Sequence, residues 1–526
     1  MSERGTPDLG PLSSGAESPP VPEFRLNHRR ASEPSTLYLS RTGGGPAPGA
    51  GRRAPEALSS MYLLPERRLS ICFVSDFYFP NFGGVESHQY QLAQCLIERG
   101  HKVVLITHAY GDRVGVRYMS SGMKVYYIPV IVMTSAASLP SIFGFFSIFR
   151  DIAIREQIDV VHGHQAFSSL CQESMLHART MGIRTCFTDH SLFGFADLSS
   201  ILTNKVLKWT LSDVDHSVCV SHTSRENTVL RAALDPGSIS VIPNAITSID
   251  FKPHPEGRPS ERPTRPGAAT DRRITVVVLS RLVYRKGVDP LLTVIPRICA
   301  AFPEVDFLIG GDGPKRVPLE QMREQYRLHQ RVELIGAVAH RDVRDVLIRG
   351  DIFLNTSLTE AFCIAIVEAA SCGLSVVSTR VGGVPEVLPR GMIQFANPEV
   401  EDLIAALSNG IRELPRFPPA WELHRAVRAM YSWRDVAHRV EQVYFRVLDR
   451  PHLSLLTRAR RHASCGAIAG LMAVAIVLLD HLLLAFLDWA QPAEAIDQAP
   501  YFDPRTYDAL LGRLAEATDE GAARAQ

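Results

Sequence analysis

The nine cysteines of this 526-residue chain are scattered, at positions 72, 95, 171, 186, 219, 299, 363, 372 and 465, with no CxxC and no Cys/His spacing of the metal-binding kind. Nothing in that pattern supports a disulfide scaffold or a zinc module. Most of the thiols sit in apolar stretches and read as small buried hydrophobes of a reducing compartment. Excess charge is also missing: the net value is +1, so there is no electrostatic case for nucleic acid as a partner. No G-x-G-x-x-G follows the first strand and no Walker lysine loop occurs, which argues against a dinucleotide oxidoreductase and a P-loop NTPase. Residues 1–68 lack an apolar run long enough for a secretory signal, and Glu3, Asp8, Glu17, Glu23 and Glu33 argue against a transit peptide.

What is present is 46% hydrophobic, enough to bury more than one core, in a length that suggests about three units. Residues 1–68, polar and rich in Pro, Gly, Ser and Arg, read as a disordered tail. From Leu69 the pattern is strand, Gly-bearing loop (Pro80–Gly84), helix (Val85–Arg99) and strand (Val103–Thr107), a βαβ unit that implies a parallel sheet. Strands at Val125–Ile128, Val160–His162, Thr185–Thr188, Ser217–Val220 and Val241–Ile242 complete a doubly wound domain over 69–251. Residues 252–273, KPHPEGRPSERPTRPGAATDRR, read as a linker or an inserted surface loop. A second α/β domain covers 274–430. It includes the strand Ile274–Leu279, the loop Ser280–Gly287, the strand Asp351–Asn355 and an apolar, buried helix from about Ala361 to Cys372. A helix over 431–449, with Trp433, Val436, Val440, Val443, Tyr444 and Val447 at helical spacing, closes it.

Residues 464–490 are wholly apolar from Gly466 to Leu479, are interrupted by Asp480 and His481, and resume at Leu482. About 20 residues suffice for about 30 Å of hydrocarbon, and Arg458, Arg460 and Arg461 flank the N-terminal side. The segment is therefore expected to cross a membrane once, with the folded domains cytoplasmic and Asp480 needing a partner. The polar tail 491–526 is not expected to have a core.

The stretch LNTSLTEAFCIAIVEAASCG, from Leu354, carries two carboxylates, Glu360 at the mouth of the helix and Glu368 two turns on. At 1.5 Å per residue they lie roughly 12 Å apart along the axis. An unpartnered charge in apolar surroundings is costly; ribose or hexose hydroxyls could supply the donors, as could an Arg or Lys from elsewhere. Gly83 and Gly84 precede a helix, where backbone N–H groups suit a phosphate or simply make an ordinary turn. Arg281 and Lys286 bracket SRLVYRKG, a strand-to-helix loop, and could neutralise a diphosphate without metal; Arg285 reads as a bystander. The loop GGVPE from Gly382 could also meet an anion. His162, His164 and His190 end strands, where a histidine is more often a structural hydrogen-bonder, and no ligand spacing supports a metal site. Asp213 and Asp215 form an Asp-x-Asp that reads as a surface turn. The aromatic segment Leu139–Phe149 is either interfacial or a buried helix.

The motifs SDFYFPNFGGVESH, TDHSLFGFADLSS, SRLVYRKG, IGGDGPKR and LNTSLTEAFCIAIVEAASCG resemble the GT-B retaining glycosyltransferases of family 4, in the branch that begins GPI-anchor synthesis, over Leu69 to about Trp489. The resemblance implies a GT-B fold of two Rossmann-like domains facing a cleft. It further implies UDP-N-acetylglucosamine as donor, the inositol hydroxyl of phosphatidylinositol as acceptor, no metal cofactor, partner subunits and a place in the endoplasmic reticulum membrane. By position, Glu360 would touch the donor sugar and Glu368 the ribose. Arg281 and Lys286 would clamp the diphosphate, Gly84, beside Gly83, would lie near phosphate and acceptor, and His190 would face the transferred sugar. The alternatives are a GT-B sugar-nucleotide epimerase and a membrane subunit that binds a sugar nucleotide without catalysis.

Overall fold

Leu69 opens a run in which nearly every residue is buried, as befits a strand covered on both faces by helices. The computed structural model describes residue 65 and residues 67–500, apart from 82, 120, 135–136, 193–197 and 263–272. Expectations for the N-terminal tail, for 501–526, for the middle of the 252–273 insertion and for part of TDHSLFGFADLSS fall outside those residues. Everything described belongs to one unit, Ala57–Gln526.

The first half is an eight-stranded sheet of β1 (Ser70–Val74), β2 (Lys102–His108), β3 (Gly115–Tyr118), β4 (Lys124–Ile128), β7 (Val160–His164), β8 (Arg184–Asp189), β9 (His216–Cys219) and β10 (Ile239–Val241); β5 (Val132–Thr134) and β6 (Ala137–Ser138) pair separately. Its order is β10-β9-β8-β7-β1-β2-β4-β3, parallel except for β3 on β4. Helices α1 (Gly84–Glu98), α2 (Phe146–Arg155), α3 (Ser169–Thr180), α4 (Leu198–Leu211) and α5 (His222–Ala232) connect the strands. The order reverses between β1 and β7, which opens a crevice at the carboxyl ends of those two strands.

The second half is an all-parallel sheet of β11 (Ile274–Leu279), β12 (Val305–Gly310), β13 (Val332–Gly336), β14 (Ile352–Asn355), β15 (Ser375–Thr379) and β16 (Ile393–Ala396), in the order β13-β12-β11-β14-β15-β16. Its helices are α6 (Val288–Ala301), α7 (Arg316–Gln325), α8 (Val343–Leu347), α9 (Ile364–Ser371), α10 (Val400–Glu413) and α11 (Ala420–Met430). Here the reversal falls between β11 and β14, the strands that feed the SRLVYRKG and TSLTE loops.

The helix expected from Ala361 starts only at Ile364. Carbonyl oxygens that a helix would use internally are taken from outside: Glu360 accepts from Gly383 N–H at 2.9 Å and Ala361 from Ser221 Oγ at 2.7 Å. Cys363 turns the chain at φ 70°, a left-handed conformation unusual for a residue with a β carbon. Ser221 follows β9 and also caps α5, accepting from Ser224 N–H at 3.0 Å. Ser221→Ala is expected to lower stability by about 1–2 kcal/mol, one cap plus one buried hydrogen bond, measured by chemical denaturation.

The closing helix α12 (Trp433–Leu448) runs back onto the first half. Glu441, buried in it, accepts from Arg99 at 2.6 Å and meets His101 at 2.7 Å, while Tyr444 meets His162 at 2.6 Å. Two further helices complete the described chain: α13 (Leu455–Ala463) and the apolar α14 (Ala467–Ala490), which is long and apolar enough to cross a membrane.

Two expectations need correction, and a third is divided between its alternatives. Asp213 and Asp215 are not a surface turn: both are buried, Asp215 paired with Arg179 at 2.8 Å and Asp213 with Arg458 of α13 at 2.6 Å. Burial works against the Asp213 carboxylate, but His462, Arg458 and Arg179 outweigh it and hold its pKa below the ordinary value. Part of the insertion is built in: Arg258 is buried and donates to the carbonyls of Gly373 at 3.0 Å and Pro418 at 2.7 Å, and Ser260 N–H bonds Asp351 at 2.7 Å. In the segment 139–149, Phe145, Phe146 and Phe149 are buried, and Phe146 stacks on His177 at 4.1 Å between ring centres. Leu139, Ile142 and Ile148 of the same segment are exposed, so one face is buried as the helix alternative has it and the other stays open.

Candidate active site

The two loops at the second sheet's reversal are zipped together by their backbones. Leu358 N–H donates to the Arg285 carbonyl at 2.9 Å, and Thr356 Oγ1 to the carbonyls of Lys286 at 3.1 Å and Gly287 at 2.9 Å. Gly287, at φ 67°, lies so close that a β carbon would run into the Thr356 carbonyl oxygen. Only glycine permits both the turn and the approach. The result sets Lys286 Nζ on Glu360 Oε1, whose same oxygen accepts from Ser357 Oγ at 2.7 Å. Burial works against the Lys286 ammonium, but Glu360 beside it prevails and raises its pKa. Glu360 therefore has a protein cation, as the pairing alternative foresaw.

Glu368 has none. It is buried on α9, no described residue gives its carboxylate a hydrogen bond, and burial alone pushes its carboxyl up to about 7. Cys363, at the N-terminal end of the same helix, feels the charges of Glu360, Lys286 and Glu368 together, so the three share one neighbourhood. The N-terminal end of α9, where a helix favours negative charge, begins beside it at Cys363. Arg281 is exposed on the first of the two loops; its field reaches Lys286 and also Glu86, in the first turn of α1 on the other half. Glu86 is raised by burial despite Arg281. Gly83 is the N-cap of α1, and a β carbon on Gly84 would meet nothing within 4 Å. The backbone at Gly84 faces open space, whereas a β carbon on Gly83 would run into the Glu86 carboxylate.

GGVPE does not make an anion site. Only a single 3-10 turn, Val384–Glu386, follows its glycines. Gly382 (φ 51°) and Gly383 lie against the Glu360 and Ala361 carbonyls, where a β carbon would collide. Glu386 accepts from the N–H groups of His222 at 2.6 Å and Thr223 at 2.9 Å. The loop is thus a rest for the Glu360 turn and a cap for α5 of the other half.

On the first half, His190 follows β8 and its Nε2 lies 3.3 Å from His164 Nδ1 at the end of β7. His88 of α1 packs edge-on at 4.6 Å between ring centres, with its Nδ1 2.8 Å from Asn244 Oδ1 and Trp433 5.3 Å away. Burial first, then mutual repulsion, keeps His164 and His190 well below the ordinary imidazole value; burial takes His88 to about 4 despite Asn244. All are neutral at pH 7. His162 is the structural hydrogen-bonder, between Tyr444 and Thr188 at 2.7 Å. Ring nitrogens of His88, His164 and His190 lie within 4.8 Å of one another and could hold a metal ion, a convergence the spacing did not reveal because three separate elements supply it. Sequence reasoning also gave no role to Glu86, Asn244 and Cys363; Glu86 stands inside the motif SDFYFPNFGGVESH and Asn244 just past the strand Val241–Ile242, the only signals available.

Two facing α/β sheets whose reversal points carry the cations, the glutamates and the histidine define a GT-B glycosyltransferase. Sucrose-phosphate synthase from Thermosynechococcus elongatus shares the fold at a TM-score of 0.57 and 18% identity, over 72% of this chain and 99% of that one. Anabaena HepE, solved with UDP and glucose, does so at 0.56 and 16%, over 72% and 99%. Family models match at residues 108–197, "PIGA (GPI anchor biosynthesis)", and at 261–414, "Glycosyl transferases group 1". A phosphatidylinositol N-acetylglucosaminyltransferase subunit of Arabidopsis thaliana is 55% identical over 82% of this chain and 94% of its own length. The gpi3 subunit of the same transferase from Schizosaccharomyces pombe is 54% identical over 81% and 91%. The chain belongs to the PIGA family of phosphatidylinositol N-acetylglucosaminyltransferase subunits, and it is a sugar-transferring enzyme of GPI-anchor biosynthesis. Its relatives are named as one subunit of their enzyme.

Proposed function

We propose that the chain transfers N-acetylglucosamine from UDP-N-acetylglucosamine to the inositol hydroxyl of phosphatidylinositol, with retention at the anomeric carbon and without a metal cofactor. The reading rests on the pairing of Lys286 with Glu360 at a sheet reversal, with an unpartnered buried carboxylate, Glu368, one short helix behind it. Arg281, Lys286 and the N-terminal end of α9 take the diphosphate charge. Glu368 accepts from the ribose hydroxyls and Glu360 from those of the sugar. The open space at Gly84 leaves room for phosphate and acceptor once the Glu86 carboxylate beside Gly83 gives way, and His190, neutral, faces the transferred sugar.

The bond from the anomeric carbon to the diphosphate breaks as the inositol oxygen bonds the same face. The proton of that hydroxyl passes to the departing phosphate oxygen, and UDP leaves. Such a step needs positioning and charge neutralisation more than a dedicated base. A lipid acceptor places the cleft at the cytoplasmic surface of the endoplasmic reticulum, attached through α14 and working with partner subunits.

Membranes supplied with labelled nucleotide sugars test this: label is expected in lipid from UDP-N-acetylglucosamine alone. Chelator is expected to leave the rate unchanged within about twofold, since protein cations supply the neutralisation. Loss of activity in chelator would instead assign a cation to His88, His164 and His190. Binding of the donor without any turnover, with partner subunits present, would make the chain a non-catalytic member of its complex.

A further inference from the structure

A cavity of about 520 Å³ opens in the first half where α4, α5 and α13 meet. Its walls come from residues 211–217 around the amino end of β9, from 232–238 before β10, and from the stretch that joins α12 to α13. The catalytic cleft lies at the carboxyl ends of the same parallel strands, so this is a separate place, and its volume is that of a small-ligand site.

Three cations line it: Lys208 of α4, Arg450 just past α12 and Arg461 of α13. Lys208 is half-buried and Arg461 exposed, and neither has an ion-pair partner among the described residues. Arg450 donates to the Asp215 carbonyl at 2.6 Å, which fixes its guanidinium in the wall. Two carboxylates are also present. Asp215 is taken up by Arg179 at 2.8 Å and by Thr185 N–H at 2.9 Å, and Asp235 accepts from Gly237 N–H at 3.0 Å. The surroundings stay positive: burial, and then the charges of Arg446 and Arg450, carry His216 at the start of β9 down to about 4. A phosphate ester entering the cavity meets guanidinium and ammonium donors with no countercharge to displace.

The rest of the wall is largely apolar, with Leu211, Leu234 and Leu453 in it. Leu456, in the first turn of α13, is 60% exposed, and Leu230 of α5 is 71% exposed. Cations beside bare leucines suit a ligand with a charged head and hydrocarbon tails. Ser464, also in the wall, stands three residues before Ala467, where α14 begins, a helix long and apolar enough to cross a membrane. Basic pockets on the cytoplasmic side of a membrane-entering helix collect anionic lipid headgroups.

We propose that this cavity binds the phosphate-bearing headgroup of an anionic phospholipid through Lys208, Arg450 and Arg461, as a second lipid site apart from the acceptor's. A headgroup held there bridges α4 and α13 and seats the first half on the bilayer. The proposal rests on the membrane attachment through α14 given above, and not on the chemistry of the cleft.

The full chain with its partner subunits, in detergent micelles, is titrated with a fluorescent short-chain phosphatidic acid, a phospholipid without inositol. Saturable binding is expected, and Lys208→Ala combined with Arg461→Ala is expected to weaken it about thirtyfold, from two cations worth about fivefold each. Lys252→Ala combined with Arg341→Ala, the same loss of charge at exposed positions outside the cavity, is expected to leave it unchanged. Unaltered binding in the first pair, or equal weakening in both, overturns the proposal. Inorganic phosphate is expected to compete poorly; displacement of the lipid by phosphate at equal concentration makes the ligand a free phosphate and overturns the lipid assignment. Loss of a partner subunit from the first pair on purification gives the cavity to that subunit and likewise overturns it. UDP-N-acetylglucosamine binding, expected unchanged in all variants, confirms the fold and keeps a failure of the cleft reading apart from a failure of this one.

Discussion

Lys286→Ala is expected to lower kcat/KM for sugar transfer about a thousandfold, the scale of losing one preorganised charge at a developing anion. Two effects add. The diphosphate loses the cation nearest its departing oxygen, and Glu360 keeps its position beside Ser357 with no countercharge, so its own field now repels the donor. Adding Glu360→Gln to Lys286→Ala removes that second effect and is expected to recover about tenfold, a coupling of the kind seen between contacting charges. Lys286→Arg keeps the charge on a different geometry and is expected to fall in between. Label transfer to lipid measures all of these, with thermal melting to confirm the fold. A Lys286→Ala enzyme within tenfold of the parent would falsify the clamp.

Glu368→Gln is expected to make the free protein more stable and a poorer binder of UDP. In the unfolded chain Glu368 ionises near the ordinary glutamate value, whereas in the fold burial delays ionisation to about 7. The folded form thus holds a proton over that interval. The stability this confers is complete below the ordinary value and disappears as pH rises through about 7. Above that pH the bare carboxylate costs about 3 kcal/mol, the free energy that separates ionisation at the ordinary glutamate value from ionisation at about 7. Glutamine removes the cost, so melting rises at about pH 8 and hardly changes at about pH 4, below the ordinary value. The same substitution deprives the ribose of a charged acceptor and is expected to weaken UDP binding about tenfold to a hundredfold. In the parent, binding near pH 7 releases a proton, visible by calorimetry in buffers of different ionisation enthalpy. Equal UDP affinity in both proteins would remove Glu368 from the site.

These positions could be read in advance because their logic is local. Lys286, Glu360 and Glu368 lie on strand, loop and helix pieces whose apolar runs announce the element, and a charge within such a run stands out. The two parallel sheets were legible for the same reason. Asp213 and Asp215 were not, since their partners Arg179, Arg458 and His462 come from α3 and α13, with Arg458 standing 245 positions from Asp213. Burial of a charge depends on partners a local pattern does not contain. The His88, His164 and His190 group assembles from α1, β7 and the end of β8, so no spacing announces it. At the start of α9 propensity favoured a helix through Ala361, Phe362 and Cys363, and tertiary hydrogen bonds to Gly383 and Ser221 overrode it. In α14 composition alone announces a helix long and apolar enough to cross a membrane, while its contacts with α2 and α3 could not be read from it.

The turn that carries Glu360 leans on both halves at once. Gly383 supports it from its own half, Ser221 holds Ala361 from the other, and Glu386 reaches across to α5. Of these supports only the Ser221 and Glu386 bonds cross between the halves. Any opening between the halves must therefore break them and leave the Glu360 turn resting on Gly383 alone, so the shape of that turn is tied to how closely the halves meet.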